Sequence, residues 1–265
     1  MIGCYHFFLI FLYSLLGDIL FKKNFIFIFL YFLTFLFFIF GVFLSNGRMI
    51  FISLLTLIIF FLLEYLEKLF KLQLSFSLKL LLVIFIFSAQ VFGEILNFYF
   101  VISFWDNILH FVAGFISACF GFSIIYYLGL KCSKDKITFF INYIFLICFS
   151  ISMSVLWEFF EFSMDRYLGF DMQKDTYVDR INTASFENDD EDFVDSINNI
   201  LYTDIYFDND FYRIDNGYLD IGLIDTMEDM FFNVIGSLFF GILYLMGSFV
   251  TRFNFLKFFW VKRGL

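Results

Sequence analysis

Seven apolar runs, each close to the roughly 20 residues a helix needs to cross a bilayer, follow one another along this 265-residue chain. They lie near 3–21, 24–44, 49–66, 78–100, 105–128, 137–161 and 222–250. Polar breaks separate them at Lys22-Lys23-Asn24, at Ser45-Asn46-Gly47-Arg48 and from Lys131 to Lys136. With 62% of its residues hydrophobic, against about 45–50% in ordinary globular chains, no water-soluble core of this length could bury so much apolar surface. The expected fold is therefore all-α: a polytopic transmembrane helix bundle of six to seven helices. Run 3–21 lacks a basic leader and a small-residue cleavage site, so it does not read as a signal peptide.

Charge gives the bundle a direction. Lys and Arg in short loops stay on the cytoplasmic side, and 12 of the 17 basic residues fall on one side of this arrangement. They are Lys22, Lys23, Lys68, Lys71, Lys79, Lys131, Lys134, Lys136, Arg252, Lys257, Lys262 and Arg263. The expected topology places the C-terminus in the cytoplasm and residues 162–221 outside. That loop holds fifteen acids and four bases, a net −11, which leaves the rest of the chain at +2. Its cluster Glu187, Asp189, Asp190, Glu191, Asp192 and Asp195 reads as a solvated surface, without the register of an EF-hand. Interleaved residues such as Phe193, Ile197, Ile200, Tyr206 and Phe211 favour a small folded cap over disorder. The organisation expected is N-terminal transmembrane helices over 1–76, core helices over 77–161, the acidic extracytoplasmic loop over 162–221, then the last helix and a basic tail over 222–265.

The absence of proline beside 49 Phe follows from AT-rich codon usage and suggests a bacterial source, hence a bacterial plasma membrane. Cys4, Cys119, Cys132 and Cys148 show no C-x-x-C spacing and read as small apolar fillers, with no disulfide or zinc framework.

Ionisable groups inside apolar spans are costly and tend to mark function. Helix direction places Glu94 and Asn97 at the outer end of the fourth run, Asp106 and His110 at the outer start of the fifth, and Glu158 and Glu161 at the outer end of the sixth. Asp225, Glu228, Asp229 and Asn233 open the seventh. Asp106, His110 and Gly114 share one helical face, as do Asp225, Asp229 and Asn233 with Gly236 a turn on, and as do Glu158 and Glu161. Small residues that continue a polar stripe let neighbouring helices approach closely. The expected polar pocket comprises Glu94, Asp106, His110, Glu158, Glu161, Asp225, Asp229 and Asn233. Asp106, Asp225 and Glu228 also suit the headgroup region, where the helix dipole favours acids. Glu64, Glu67, Lys68 and Lys71 read as an ordinary charged helix end on the inner face.

Three ordered blocks carry a family resemblance: Gly93-Glu94…Phe98-Tyr99 with Trp105-Asp106…His110…Gly114-Phe115; Leu156-Trp157-Glu158-Phe159-Phe160-Glu161 through Asp165 to Asp171-Met172-Gln173-Lys174-Asp175-Thr176; and Asp220-Ile221-Gly222-Leu223-Ile224-Asp225-Thr226-Met227 with Asp229, Asn233 and Gly236. Over roughly residues 90–250 the chain resembles the uncharacterised bacterial YjdF-like family of multipass membrane proteins. The resemblance implies an architecture and no established reaction. A more distant similarity is to VanZ-like membrane proteins, which share the order Asp…His, Glu, Asp…Asn…Gly; the Gln common in their Glu motif is replaced here by Glu161.

Crowded carboxylates repel unless a cation or shared protons neutralise them. The sequence names no cofactor, but the acids with one His could hold one divalent cation, with Asp106, His110, Glu158, Glu161, Asp225 and Asp229 as the ligand candidates. Glu158, Asp229 and His110 are the candidates for catalysis. One reading is a cation-dependent enzyme or lipid-handling protein of the outer leaflet acting on an amphiphilic small molecule. Alternatives are an ion- or proton-coupled transporter, or a non-catalytic component whose acidic loop docks a cationic partner. The lipid bilayer is the expected environment. Nucleic acid is excluded as a partner, because the one large polar segment is acidic and would repel phosphates.

Overall fold

The computed structural model describes residues 23–128, 136–184, 194–249 and 255–263. The run at 3–21, the basic residues 131–135 and the acidic cluster 187–192 lie outside the described residues. Six helices are long and apolar enough to span a membrane: Phe25–Phe43, Gly47–Leu69, Phe76–Ile95, Trp105–Tyr127, Ile137–Leu168 and Leu223–Gly247. They correspond to the last six apolar runs of the sequence. The chain divides into two compact units, Met1–Ile151 with Phe232–Leu265, and Ser152–Phe231.

In the first unit, α1 (Lys23–Phe43) and α2 (Gly47–Leu69) form a tight antiparallel pair. The turn between them is set by Asn46, whose side chain accepts the Met49 N–H and caps α2, satisfying one of the donors a helix start leaves open. Short β1 (Leu72–Leu74) follows, and Ser75 caps α3 (Phe76–Phe87) by accepting the Leu78 N–H. The run expected as one span over 78–100 is not uniform. After Phe87 the backbone widens into a π-helix over Ser88–Ile95 and breaks at Asn97, which sits at φ 57. A single turn, α4 (Phe98–Val101), leads to α5 (Trp105–Tyr127). Tyr99 packs against the π-helix, its ring in the space a Cβ at Gly93 would need, with Cζ 2.8 Å from that position.

Helix α6 (Lys136–Leu168) begins in this unit, and α7 (Leu223–Phe249) ends in it. The core gathers Leu78, Phe115, Phe122, Leu146, Phe240 and Tyr244. The C-terminal residues fold back onto this core. Leu256 and Trp260 are buried, Trp260 lies 4.3 Å from the Tyr126 ring, and β8 (Val261–Arg263) pairs antiparallel with β1. Val261 N–H donates to Ser123 Oγ at 3.0 Å. What reads in sequence as a basic tail is thus, over 255–263, a docked segment. Phe29, Phe32, Phe40, Phe61 and Ile242 face outward, as a surface solvated by lipid requires.

The second unit contains the end of α6, six short strands and the start of α7. Helix α6 runs seven residues beyond the apolar stretch that ends at 161. Strand β2 (Thr176–Val178) pairs with β7 (Tyr218–Asp220), β3 (Arg180–Thr183) with β4 (Asp195–Asn198), and β5 (Thr203–Phe207) with β6 (Asp210–Ile214), all antiparallel. The β5–β6 hairpin turns on two residues, with Asp208 at φ 47, as a primed turn demands. Arg213 grips Asp204 with two bonds of 2.7 Å and lies over the Tyr202 ring. Of the loop expected as a folded cap, residues 162–168 continue α6, and the other described residues carry six short strands in three antiparallel pairs.

Candidate metal centre

Within the second unit, α6 and α7 bring three carboxylates together. Glu158 and Glu161 lie on one face of α6 by their i, i+3 spacing, and Asp229 lies in the second turn of α7. Glu158 is 5% exposed, Glu161 7% and Asp229 2%. One oxygen from each falls within 4.8 Å of the others. At that distance each ionised pair would repel by roughly 3 kcal/mol at an effective dielectric of about 20. Three such pairs in one buried place require compensating positive charge or shared protons. A hard divalent cation is the natural counter-charge for carboxylate oxygens.

One turn further along α6, the carboxylate of Asp165 accepts the N–H of Met172 at 2.7 Å and of Gln173 at 2.8 Å. One turn nearer the start of α7, Asp225 accepts the Lys174 N–H at 2.9 Å, and the Gln173 side chain donates to Thr226 Oγ1 at 2.5 Å. Residues 172–174 thus form a strap tied to both helices, each tie one turn from a carboxylate of the trio. Gly222, at φ +105, lets the chain turn into α7 beneath it, since a Cβ there would lie 2.6 Å from Gln173 Cβ. Burial, with Asp171, Asp165 and Asp220 nearby, holds the Asp175 carboxyl above the ordinary carboxylate range.

Of the remaining candidates, Glu94, Asp106, His110 and Asn233 lie in the first unit, and Asp225 and Glu228 in the second. His110 is buried, with Nε2 3.6 Å from Asp106 Oδ1 one turn earlier on α5. Asn233 is buried, and Ser150 Oγ lies 2.9 Å from the Gly114 carbonyl and 3.1 Å from Asn233 Oδ1. Helices α5 and α7 meet at bare backbone here. A Cβ on Gly114 would be 2.7 Å from the Asn233 carbonyl carbon, and one on Gly236 would be 2.8 Å from that of Phe111. Glu94 has a different partner: Arg48, at 2.6 Å, at the start of α2. Asp225 serves the strap. Glu228 is exposed.

Sequence reasoning left out Ser150, Ser154, Gln173 and Thr226. A signal existed for the first two, since Ser150, Ser154 and Glu158 repeat at four-residue spacing, but single hydroxyls inside an apolar run carry little weight beside carboxylates. Gln173 stood in a quoted motif with no periodicity to give it a role.

A family model described as "Predicted membrane protein (DUF2238)" matches residues 25–249. That stretch contains the three blocks on which the YjdF-like resemblance rests. An uncharacterized protein of Thermotoga maritima is 35% identical over 121 residues, which is 43% of this chain and 60% of that relative, so the chain spans less than two thirds of its length. Neither match concerns VanZ-like proteins. No solved structure matches.

Proposed function

The chain belongs to the DUF2238 family of predicted membrane proteins, and we propose that this integral membrane protein holds one divalent cation on Glu158, Glu161 and Asp229 and uses it on an amphiphile at the outer leaflet. The observation that carries the reading is the burial of three carboxylates whose oxygens lie within 4.8 Å of one another. A bound cation would act as a Lewis acid toward an anionic head group. The outer location follows from the basic loops, which assign residues 162–221 to the extracytoplasmic side of a bacterial plasma membrane. His110 and Asp106 stand one turn apart on α5 as a His–carboxylate pair of the first unit.

Thermal denaturation in detergent tests this. A ligand that binds only the folded state at about 100 times its Kd stabilises by about 2.7 kcal/mol. Mn²⁺ should raise the melting temperature of the wild-type protein and leave Glu158→Gln and Asp229→Asn unmoved. Equal responses in all three proteins would defeat the reading.

An ion-coupled carrier is the second reading. It is favoured by one observation: within the first unit Asn142, Ser150, Asn233 and Ser237 are polar side chains buried in apolar spans. Cation flux into proteoliposomes, abolished by Asn233→Leu, would select it.

A further inference from the structure

Helix α6 carries a buried hydroxyl one turn before Glu158. Ser154 is 4% exposed, and among the described residues its Oγ has no hydrogen-bond partner. Four other helical hydroxyls among the described residues behave differently. Thr34, Thr56, Ser123 and Ser163 each donate to the carbonyl four residues earlier, at 2.6–2.8 Å. That back-bond is the ordinary recourse of a hydroxyl inside a helix, and a buried oxygen that forgoes it loses its solvation without replacement.

The position of Ser154 supplies the reason. Residues 154, 158 and 161 stand at i, i+4 and i+7, on one face of the helix, so the hydroxyl shares the stripe of the two α6 carboxylates. Ser53 on α2 is also buried without a partner, but Met49, Thr56 and Phe60, its neighbours on that face, include no acid. Charge selects the same group. Three carboxylates already exceed the charge of a divalent ion by one, so a fourth ligand should be neutral, and a hydroxyl lone pair is.

We propose that Ser154 Oγ is a fourth oxygen donor to the cation held by Glu158, Glu161 and Asp229, completing an all-oxygen set on this face that selects Mg²⁺, Mn²⁺ or Ca²⁺ over softer ions. The inference rests on the cation reading above. Oxygen ligands suit hard cations, whereas a thiolate suits soft ones, so the ligand at position 154 sets the preference.

The test uses the full chain in detergent, stripped with chelator, dialysed and titrated calorimetrically with MnCl₂ and separately with CdCl₂. Ser154→Ala should bind Mn²⁺ about tenfold more weakly, and Ser154→Thr, which keeps the hydroxyl, should match the wild type. Ser154→Cys should lose Mn²⁺ affinity and gain at least tenfold for Cd²⁺. Should Ser154→Ala fail to fold, the Cd²⁺ to Mn²⁺ ratio of Ser154→Cys against Ser154→Thr decides. Wild-type Mn²⁺ binding that is lost in Glu158→Gln but unchanged for both ions in the Ser154 variants would overturn the Ser154 assignment alone. No Mn²⁺ binding by the wild type would overturn the cation reading beneath it.

Discussion

Replacing Gly236 with alanine should destabilise this protein even though it improves a helix. In an exposed helix interior, Gly→Ala gains about 1 kcal/mol. At Gly236 the added Cβ would lie 2.8 Å from the Phe111 carbonyl carbon and 3.1 Å from Phe115 N, where ordinary carbon contacts are about 3.5–4.0 Å. Helices α5 and α7 would have to part by about 1 Å, because both obstacles are backbone and neither can rotate away. That separation loosens the edge-on contact of Phe115 with Phe240, whose ring centroids are 5.3 Å apart. Overpacking of this kind costs about 1–3 kcal/mol, and immovable backbone puts Gly236 at the upper end. The net loss is about 2 kcal/mol, or about 4–8 °C of melting temperature for a chain of this length. Thermal melts in detergent, followed by tryptophan fluorescence, measure it. Gly47→Ala is the control, since nothing lies within 4 Å of its would-be Cβ, and it should melt at or above the wild-type temperature. If Gly236→Ala also melts there, backbone contact between α5 and α7 is not what holds them.

Asp165→Ala should free the strap, removing both acceptors of the Met172 and Gln173 amides at about 2 kcal/mol, and hydrogen exchange at those amides should rise while exchange in α5 does not. Trp260→Ala should cost about 3 kcal/mol, read as a lower melting temperature, because the residue is buried against Tyr126. The Arg213 guanidinium holds the Asp204 carboxyl below its ordinary range, so the contribution of this pair is full above about pH 3.9 and is lost as pH falls through the lowered value; amide exchange in β5 and β6 should rise on acidification, and Asp204→Asn should abolish that pH dependence. Asp175 is shifted the opposite way, so its contribution is lost as pH rises, and Asp175→Asn should stabilise the second unit at pH 7 and not at pH 3. A cysteine placed at Tyr206, which is exposed, should react with a membrane-impermeant thiol reagent in intact cells if residues 162–221 lie outside, and only after lysis if the orientation is reversed.

Helix positions were legible because hydrocarbon imposes a length and a composition that short-range sequence displays. The stripe Asp225, Asp229, Asn233 was legible for a related reason, since a fixed four-residue period names a face before any neighbour is known. The π-helix over Ser88–Ile95 was not, because its apolar residues read like those of any membrane helix and the Tyr99 ring that lies over Gly93 comes into place only after the chain turns at Asn97. The ladders of the cap were hidden for the same reason. Strands of three to five residues such as Thr176–Val178 carry too little alternation, and partners such as Tyr218–Asp220 lie some forty residues away. The return of Val261–Arg263 to Leu72–Leu74 pairs segments some 190 residues apart. Within the centre itself the acids announced themselves by their cost in an apolar run, whereas Ser154 looks like any small residue of a membrane helix until its missing back-bond is seen.

The central claim is that Glu158, Glu161 and Asp229 share one cation, and elemental analysis of protein purified without chelator tests it most directly. The account predicts close to one Mg, Mn or Ca per chain in the wild type, and loss of that metal in Glu158→Gln and Asp229→Asn, with Glu94→Gln retaining it because Glu94 pairs with Arg48. Metal-free wild-type protein, or equal metal content in the wild type and in Glu158→Gln, would contradict it.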